Sequence, residues 1–284
     1  MAEPIMKRVK GDGLEIQLAV WEGAGDPVFC VHGTSATCRC WDVLARLLSP
    51  EYTVIAMDLR GRGLSDQPPS GYGVDHHCRD ISRALDELGL KRAVLMGHAL
   101  GGLIVMAFAA SRPEAASKIV LFDYGAKLTQ EQRARLLAAL KPTMARLGRV
   151  YPSFAAYRDE IEKSLGLAGW SPALESRYRY ELEEVEGGLR PRVRPETVAE
   201  EGENLAKVDI ASLYAKITCP TLILRATKGM GSPDDLFLPP EALARMLAEI
   251  PRVKYLDLNG ADHFSIMFMD HPERDRAILS FLRE

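Results

Sequence analysis

Six short apolar runs, each set between stretches of helical period, govern what this chain can become. They are Val28-Phe29-Cys30-Val31, Tyr52 to Met57, Ala93-Val94-Leu95-Met96, Ile119-Val120-Leu121-Phe122, Thr221-Leu222-Ile223-Leu224 and Val253-Lys254-Tyr255-Leu256. Runs this short suit strands covered on both faces, as in a parallel sheet. Leu14 to Val20 alternates, as a strand with one covered face would. Between the runs, Trp41–Leu48, Asp75–Leu88, Pro240–Ile250 and Pro272–Leu282 carry apolar residues at helical spacing, and Leu100–Ala110 is apolar nearly all round. Strand and helix in alternation predict a doubly wound α/β layer structure.

The rhythm breaks from about Gly125 to Ser212, where no strand is expected. Thr129 with Gln132 three residues on reads as a capping box. Ser171-Pro172 reads as a second helix start, and Gly187-Gly188 as the end of the helix carrying Leu174, Tyr178 and Leu182. The expected organisation is a core of residues 1–124 and 213–284 with a helical cap, 125–212, inserted between.

Composition excludes several classes. With 36 basic and 39 acidic side chains the net charge is −3, which predicts no nucleic-acid partner. No apolar stretch is long enough for a transmembrane helix, and no basic-then-apolar leader precedes Pro4, so a cytoplasmic protein without membrane partners is expected. The five cysteines have no framework spacing and read as reduced packing residues. Cys38-x-Cys40 is too tight for a usual zinc pair, and no phosphate loop or dinucleotide fingerprint is present, so neither metal nor cofactor is expected. A small-molecule substrate is the expected partner, with the chain a monomer or homodimer.

Val94-Leu95-Met96-Gly97-His98-Ala99-Leu100-Gly101-Gly102 carries the most chemistry. It sets a strand, a turn flanked by small residues, and a buried helix in immediate succession. That is the setting of a nucleophile elbow, Gly-x-Ser-x-Gly. Here Ala99 occupies the serine position.

With this segment the chain resembles the α/β-hydrolase superfamily, and the resemblance runs its whole length. His32-Gly33 resembles that family's oxyanion loop. Asp58-Leu59-Arg60-Gly61-Arg62-Gly63-Leu64-Ser65 resembles its Asp-x-x-Gly-x-Gly-x-Ser segment, and Gly260-Ala261-Asp262-His263-Phe264 its C-terminal histidine loop. The resemblance implies an α/β-hydrolase fold: a mostly parallel eight-stranded sheet, helices on both faces and a helical cap after strand 6. It implies a hydrolase of carboxylesterase or amidohydrolase type with a catalytic triad: position 99 as nucleophile, His263 as base, and the amides of Thr34 and Leu100 as oxyanion hole. Two acids compete for the third place. Asp123 directly follows the sixth strand, whereas Asp235 lies in a loop after the seventh. A closer resemblance, to the (E)-2-(acetamidomethylene)succinate hydrolase-like serine hydrolases, favours Asp123. It rests on Phe122-Asp123-Tyr124, Gly71-Tyr72 and Gly187-Gly188-Leu189-Arg190-Pro191.

Alanine cannot attack a carbonyl, so this chain is expected to be inactive in acyl transfer. An engineered serine-to-alanine change, a ligand-binding pseudoenzyme or receptor, and a different nucleophile are the three readings. With serine restored, cleavage of a small ester, amide, enamide or lactone is expected, with carbon–carbon bond hydrolysis as an alternative. Tyr124, Arg146, Tyr178 and Arg179 are the expected substrate contacts. Arg146, Arg177 and Arg179 are candidates to grip a carboxylate.

Overall fold

The computed structural model describes residues 3–165 and 169–284. In chain order the strands are β1 (Ile5–Lys10), β2 (Glu15–Trp21), β3 (Gly25–Val31), β4 (Tyr52–Met57), β5 (Ala93–His98), β6 (Ala116–Phe122), β7 (Leu182–Val185), β8 (Gly188–Pro191), β9 (Thr221–Ala226) and β10 (Val253–Leu258). The helices are α1 (Asp42–Leu48), α2 (Val74–Glu87), α3 (Leu100–Ser111), α4 (Gln130–Met144), α5 (Phe154–Leu165), α6 (Pro172–Tyr180), α7 (Pro195–Leu205), α8 (Ala211–Tyr214), α9 (Pro240–Glu249), α10 (Ser265–Phe268) and α11 (Pro272–Arg283). A 3-10 turn, Cys38–Trp41, precedes α1.

Eight strands form one sheet in the order β1-β2-β4-β3-β5-β6-β9-β10. β2 pairs antiparallel with both β1 and β4, and every pairing from β4 through β10 is parallel. β5 and β9 are buried along their whole lengths, as strands sandwiched between helix layers must be. Two apolar clusters cover the two faces. One gathers Leu95, Ile104, Phe108, Leu121 and Tyr214; the other gathers Trp41, Leu44, Met96, Phe122 and Phe281. The five thiols are free, four of them buried in this packing. In such a sheet the loops at the carboxyl ends of the parallel strands gather at one edge, where ligands bind.

The segment between β6 and β9 carries α4 to α8. Thr129 forms the expected capping box with Gln132, and Ser171 accepts the Leu174 amide at the start of α6. The expectation of a strand-free insert is corrected: β7 and β8 form an antiparallel hairpin. Gly187-Gly188 does not end a helix, because α6 stops at Tyr180. Both glycines have positive φ, +87° and +141°, and make the turn between the two strands. A Cβ on Gly188 would stand 2.0 Å from the Tyr151 carbonyl oxygen, so the close approach of Tyr151 also requires glycine. The cap has its own small core of Tyr157, Ile161, Leu174 and Tyr178.

Polar bonds fasten the cap to the sheet. The Tyr180 hydroxyl donates to the Asp58 carboxylate at 2.6 Å. Asp58 also accepts the amides of Cys38 (2.7 Å) and Leu64 (3.0 Å). Glu200 of α7 accepts the amides of Gly71 and Tyr72.

Candidate active site

Position 99 is the single residue between β5 and α3. Ala99 has φ 52° and ψ −121°, and Asp123, one residue past β6, has φ 51°. These are the only non-glycine residues with positive φ among the described residues. Conformations of this kind cost of order 1–3 kcal/mol each and persist only where surrounding packing enforces them. The packing is explicit at the elbow. A Cβ on Gly97 would lie 2.3 Å from the Gly101 oxygen, and one on Gly101 would lie 2.1 Å from the Val31 oxygen. Backbone meets backbone there, so only glycine fits, and Ala99 is forced out to line a cavity at the sheet edge.

His263 lines the same cavity and is 3% exposed. Its Nδ1 lies 2.9 Å from Asp123 Oδ2, while Asp123 Oδ1 accepts the Ala226 amide at 3.0 Å. A carboxylate partner requires the proton on Nδ1, which leaves Nε2 free as a base. Burial lowers His263, to about 3, so the imidazole is neutral at ordinary pH. Burial also raises Asp123, to about 7, opposed by the Ala226 amide. The Phe237 ring stacks on His263 at an interplanar angle of 5°. His98 also approaches, with ring centroids 4.5 Å apart, and its Nε2–H donates to the His263 carbonyl at 2.9 Å. Burial holds His98 well below the ordinary imidazole range, so it adds no charge there. Asp235 is half-buried, with its carboxylate against Gly231 and no bond to His263. The structure therefore brings Asp123, not Asp235, to the histidine.

The amides of Leu100 and Thr34 reach no backbone carbonyl among the described residues. Leu100 opens a twelve-residue helix, whose N-terminus favours negative charge. The loop carrying Thr34 is held from three sides. The Leu59 amide donates to His32 Nε2 at 3.0 Å, which fixes the other proton on Nδ1, bonded to the Gly33 carbonyl at 2.7 Å. Arg62 Nε donates to the Thr34 carbonyl at 3.0 Å. Arg146 Nη2 donates to the Ser35 carbonyl at 3.1 Å. Arg62 is fully buried and its charge is met by Glu201 of α7 at 2.5 Å, which also takes His77 Nε2 at 3.0 Å.

The remaining predicted contacts separate. Tyr124 lines the cavity beside Gly102. Arg146 does not line it: its two Nη groups go to the Ser35 carbonyl, to the Tyr157 hydroxyl at 2.9 Å and to Glu181 at 3.5 Å. Tyr178 is buried in the cap core, stacked on Trp170. Arg179 is 58% exposed and bonds Glu175 at 2.6 Å. The cavity wall takes Arg177 instead. Arg177 is 5% exposed, its Nε and Nη1 have no hydrogen-bond partner, and its guanidinium sits 3.8 Å over the Phe268 ring. Phe237, Glu201 and Arg62 were not anticipated. The sequence signal for Arg62 is its place in Arg60-Gly61-Arg62-Gly63; Phe237 and Glu201 carry none. No cluster suited to a metal ion occurs among the described residues.

One cavity is thus lined by an imidazole with an oriented carboxylate, by Thr34 and Leu100, whose amides have no carbonyl partner, and by Ala99, an arrangement that could serve acyl transfer if position 99 carried a nucleophile. Similar proteins carry the same fold. A 2-(acetamidomethylene)succinate hydrolase of Mesorhizobium japonicum is 28% identical over 253 residues, 86% of this chain and 83% of that protein. A putative carbamate hydrolase, RutD, of Klebsiella pneumoniae is 27% identical over 252 residues, 88% of each chain. The crystal structure of an E-2-(acetamidomethylene)succinate hydrolase superposes with a TM-score of 0.87 and 26% identity, covering 99% of this chain and 100% of that one. Residues 28–275 match the profile of the alpha/beta hydrolase family, and the chain belongs to that family.

Proposed function

We propose that this chain is the scaffold of a serine hydrolase that cleaves a carboxylate-bearing acyl compound, and that Ala99 holds it in a substrate-binding, non-turning-over form. The observation carrying this reading is the Asp123–His263 pair at 2.9 Å, set at the cavity that Ala99 lines. A retained, buried pair and a retained oxyanion loop leave only the nucleophile oxygen missing. Arg177 supports the carboxylate. A buried cation without a counter-charge is costly, and a substrate carboxylate would complete it through a bidentate pair. The relatives named for acetamidomethylene-succinate and carbamate hydrolysis lean the same way, toward amide-like bonds in small acids.

In the Ala99→Ser protein, His263 Nε2 takes the hydroxyl proton as the oxygen attacks the acyl carbon. The amides of Leu100 and Thr34 hold the developing oxyanion; one such donor is worth about 2.7–4 kcal/mol. His263 then returns the proton to the leaving group, and water repeats the sequence on the acyl-enzyme. Asp123 keeps the imidazole in the working tautomer and offsets its transient charge.

The test is to assay the Ala99→Ser protein against esters, lactones and N-acyl enamides of both mono- and dicarboxylic acids, with short and medium chains, beside the chain as it stands. Turnover in the first and none in the second is expected. The alanine itself favours one other reading, a ligand-binding receptor. Folded Ala99→Ser protein that binds such acids but turns over none of the panel would establish the receptor instead.

A further inference from the structure

The cavity over position 99 measures about 620 Å³, in the range of pockets that enclose drug-sized ligands rather than the smallest metabolites. Its chemistry is divided. On one side the wall is mostly carbon, from Leu103 of α3, Leu128, Leu136 and Leu140, Leu205 of α7 and Ile210; the one carboxylate there, Glu201 of α7, is already taken by Arg62 and His77 and would only repel a second anion. Leu128, Leu205 and Ile210 pack onto the core cluster that contains α2 and α3, on one face of the sheet. Arg177 belongs to the other face. It is stacked on Phe268, which packs on the cluster containing Trp41, Met96 and Phe281. β5, which delivers position 99, is a central strand between these faces.

Taking the proposed acyl chemistry as given, we infer that the substrate is amphipathic. An anionic group meets Arg177, and an unbranched apolar chain of several carbons runs from the reacting carbon the opposite way, between α4 and the Leu205–Ile210 segment. A second carboxylate on that side would be desolvated against leucine and isoleucine without a partner, a costly burial. The cations Lys127, Arg133 and Lys141 also border the cavity, but all three are exposed, and Lys127 is already paired with Asp209 at 3.3 Å. A compact dicarboxylate would leave the leucine wall wet. A chain would cover it.

The test needs no turnover, because the chain as it stands can be titrated with ligand. Calorimetry would compare straight-chain monocarboxylates of increasing length with α,ω-dicarboxylates of the same length. Affinity for the monocarboxylates is expected to tighten roughly fourfold per added methylene, the effect of burying one CH₂, until the wall is covered. Arg177→Gln should weaken every length by a similar factor of ten or more. Leu140→Gln should weaken long acids more than short ones. Affinity independent of length would overturn the inference, and so would dicarboxylates binding tighter than their monocarboxylate counterparts, which would place a second anion at the rim cations. Turnover by Ala99→Ser without any chain-length preference would sink this inference alone. A chain-length trend in binding with no turnover would sink the hydrolase reading and leave an amphipathic ligand for a receptor.

Discussion

Replacing Asp123 by asparagine in the Ala99→Ser protein probes the pair on which the proposed catalysis depends. Its consequence follows from two distances. Oδ1 takes the Ala226 amide at 3.0 Å and Oδ2 takes His263 Nδ1 at 2.9 Å. Asparagine has one oxygen for these two donors. If the oxygen stays on Ala226, the side-chain NH₂ faces Nδ1, the imidazole must carry its proton on Nε2, and the base becomes a donor toward the nucleophile. If the amide flips, NH₂ faces the Ala226 N–H, and a buried pair of donors costs about 1–3 kcal/mol. At 1.36 kcal/mol per tenfold, that flip alone limits the competent fraction to between about a sixth and about one part in 160. Loss of the carboxylate charge that stabilises the imidazolium comes on top, and a wrong-tautomer substitution of this type costs about 10⁴-fold. The expected fall in kcat therefore lies between about 10² and 10⁴, with the unfolding midpoint little changed. Steady-state kinetics with the best substrate of the panel reads it directly. Less than a tenfold loss, with the large loss appearing for Asp235→Asn instead, would refute the assignment of Asp123 and the tautomer argument together.

Three further outcomes follow from the same geometry. In the Ala99→Ser protein, kcat/KM should be lost on the acid side as the Asp123–His263 pair takes up a proton; burial lowers His263 to about 3 and raises Asp123 to about 7, so the limb reports the pair jointly and should lie at or below about 7, and a midpoint well above 7 in the pH–rate profile would contradict the desolvation argument. Glu201→Gln removes the counter-charge of the fully buried Arg62, so urea unfolding should show a loss of about 3–5 kcal/mol, with kcat falling as the Thr34 carbonyl loses its anchor; an unchanged midpoint would mean the pair is dispensable. Gly97→Ala should cost about 4 kcal/mol or more in the same measurement, because the new Cβ would meet the Gly101 oxygen at 2.3 Å and neither backbone can yield without opening the elbow.

What the sequence disclosed and what it withheld divide along the range of the interactions concerned. The elbow is legible because its requirement is local: the small residues at 97 and 101 answer contacts that any strand–turn–helix of this tightness makes. The six apolar runs are legible for the same reason, since burial on both faces leaves no polar residue to hide the strand. The cap hairpin was not, because β7 and β8 are four residues each and largely half-buried or exposed, with no alternation to see. The choice between Asp123 and Asp235 turns on which carboxylate reaches a histidine 140 residues from Asp123, a distance only the closed sheet sets. The arginines make the point most sharply. Arg177 and Arg179 stand two residues apart on one helix, so their side chains leave it about 200° apart and cannot share a surroundings. One faces the cavity without a partner and the other bonds Glu175 in solvent, yet nothing in Arg-Tyr-Arg says which is which. That is decided by how α6 docks, through bonds such as Tyr180 to Asp58, 122 residues apart. On the proposed reading, specificity is thus written in the docking of the cap, whereas the proposed catalytic apparatus is written in the turns of the sheet. It follows that substitutions at the cap–sheet fasteners should alter which acids bind before they alter whether acyl transfer can occur.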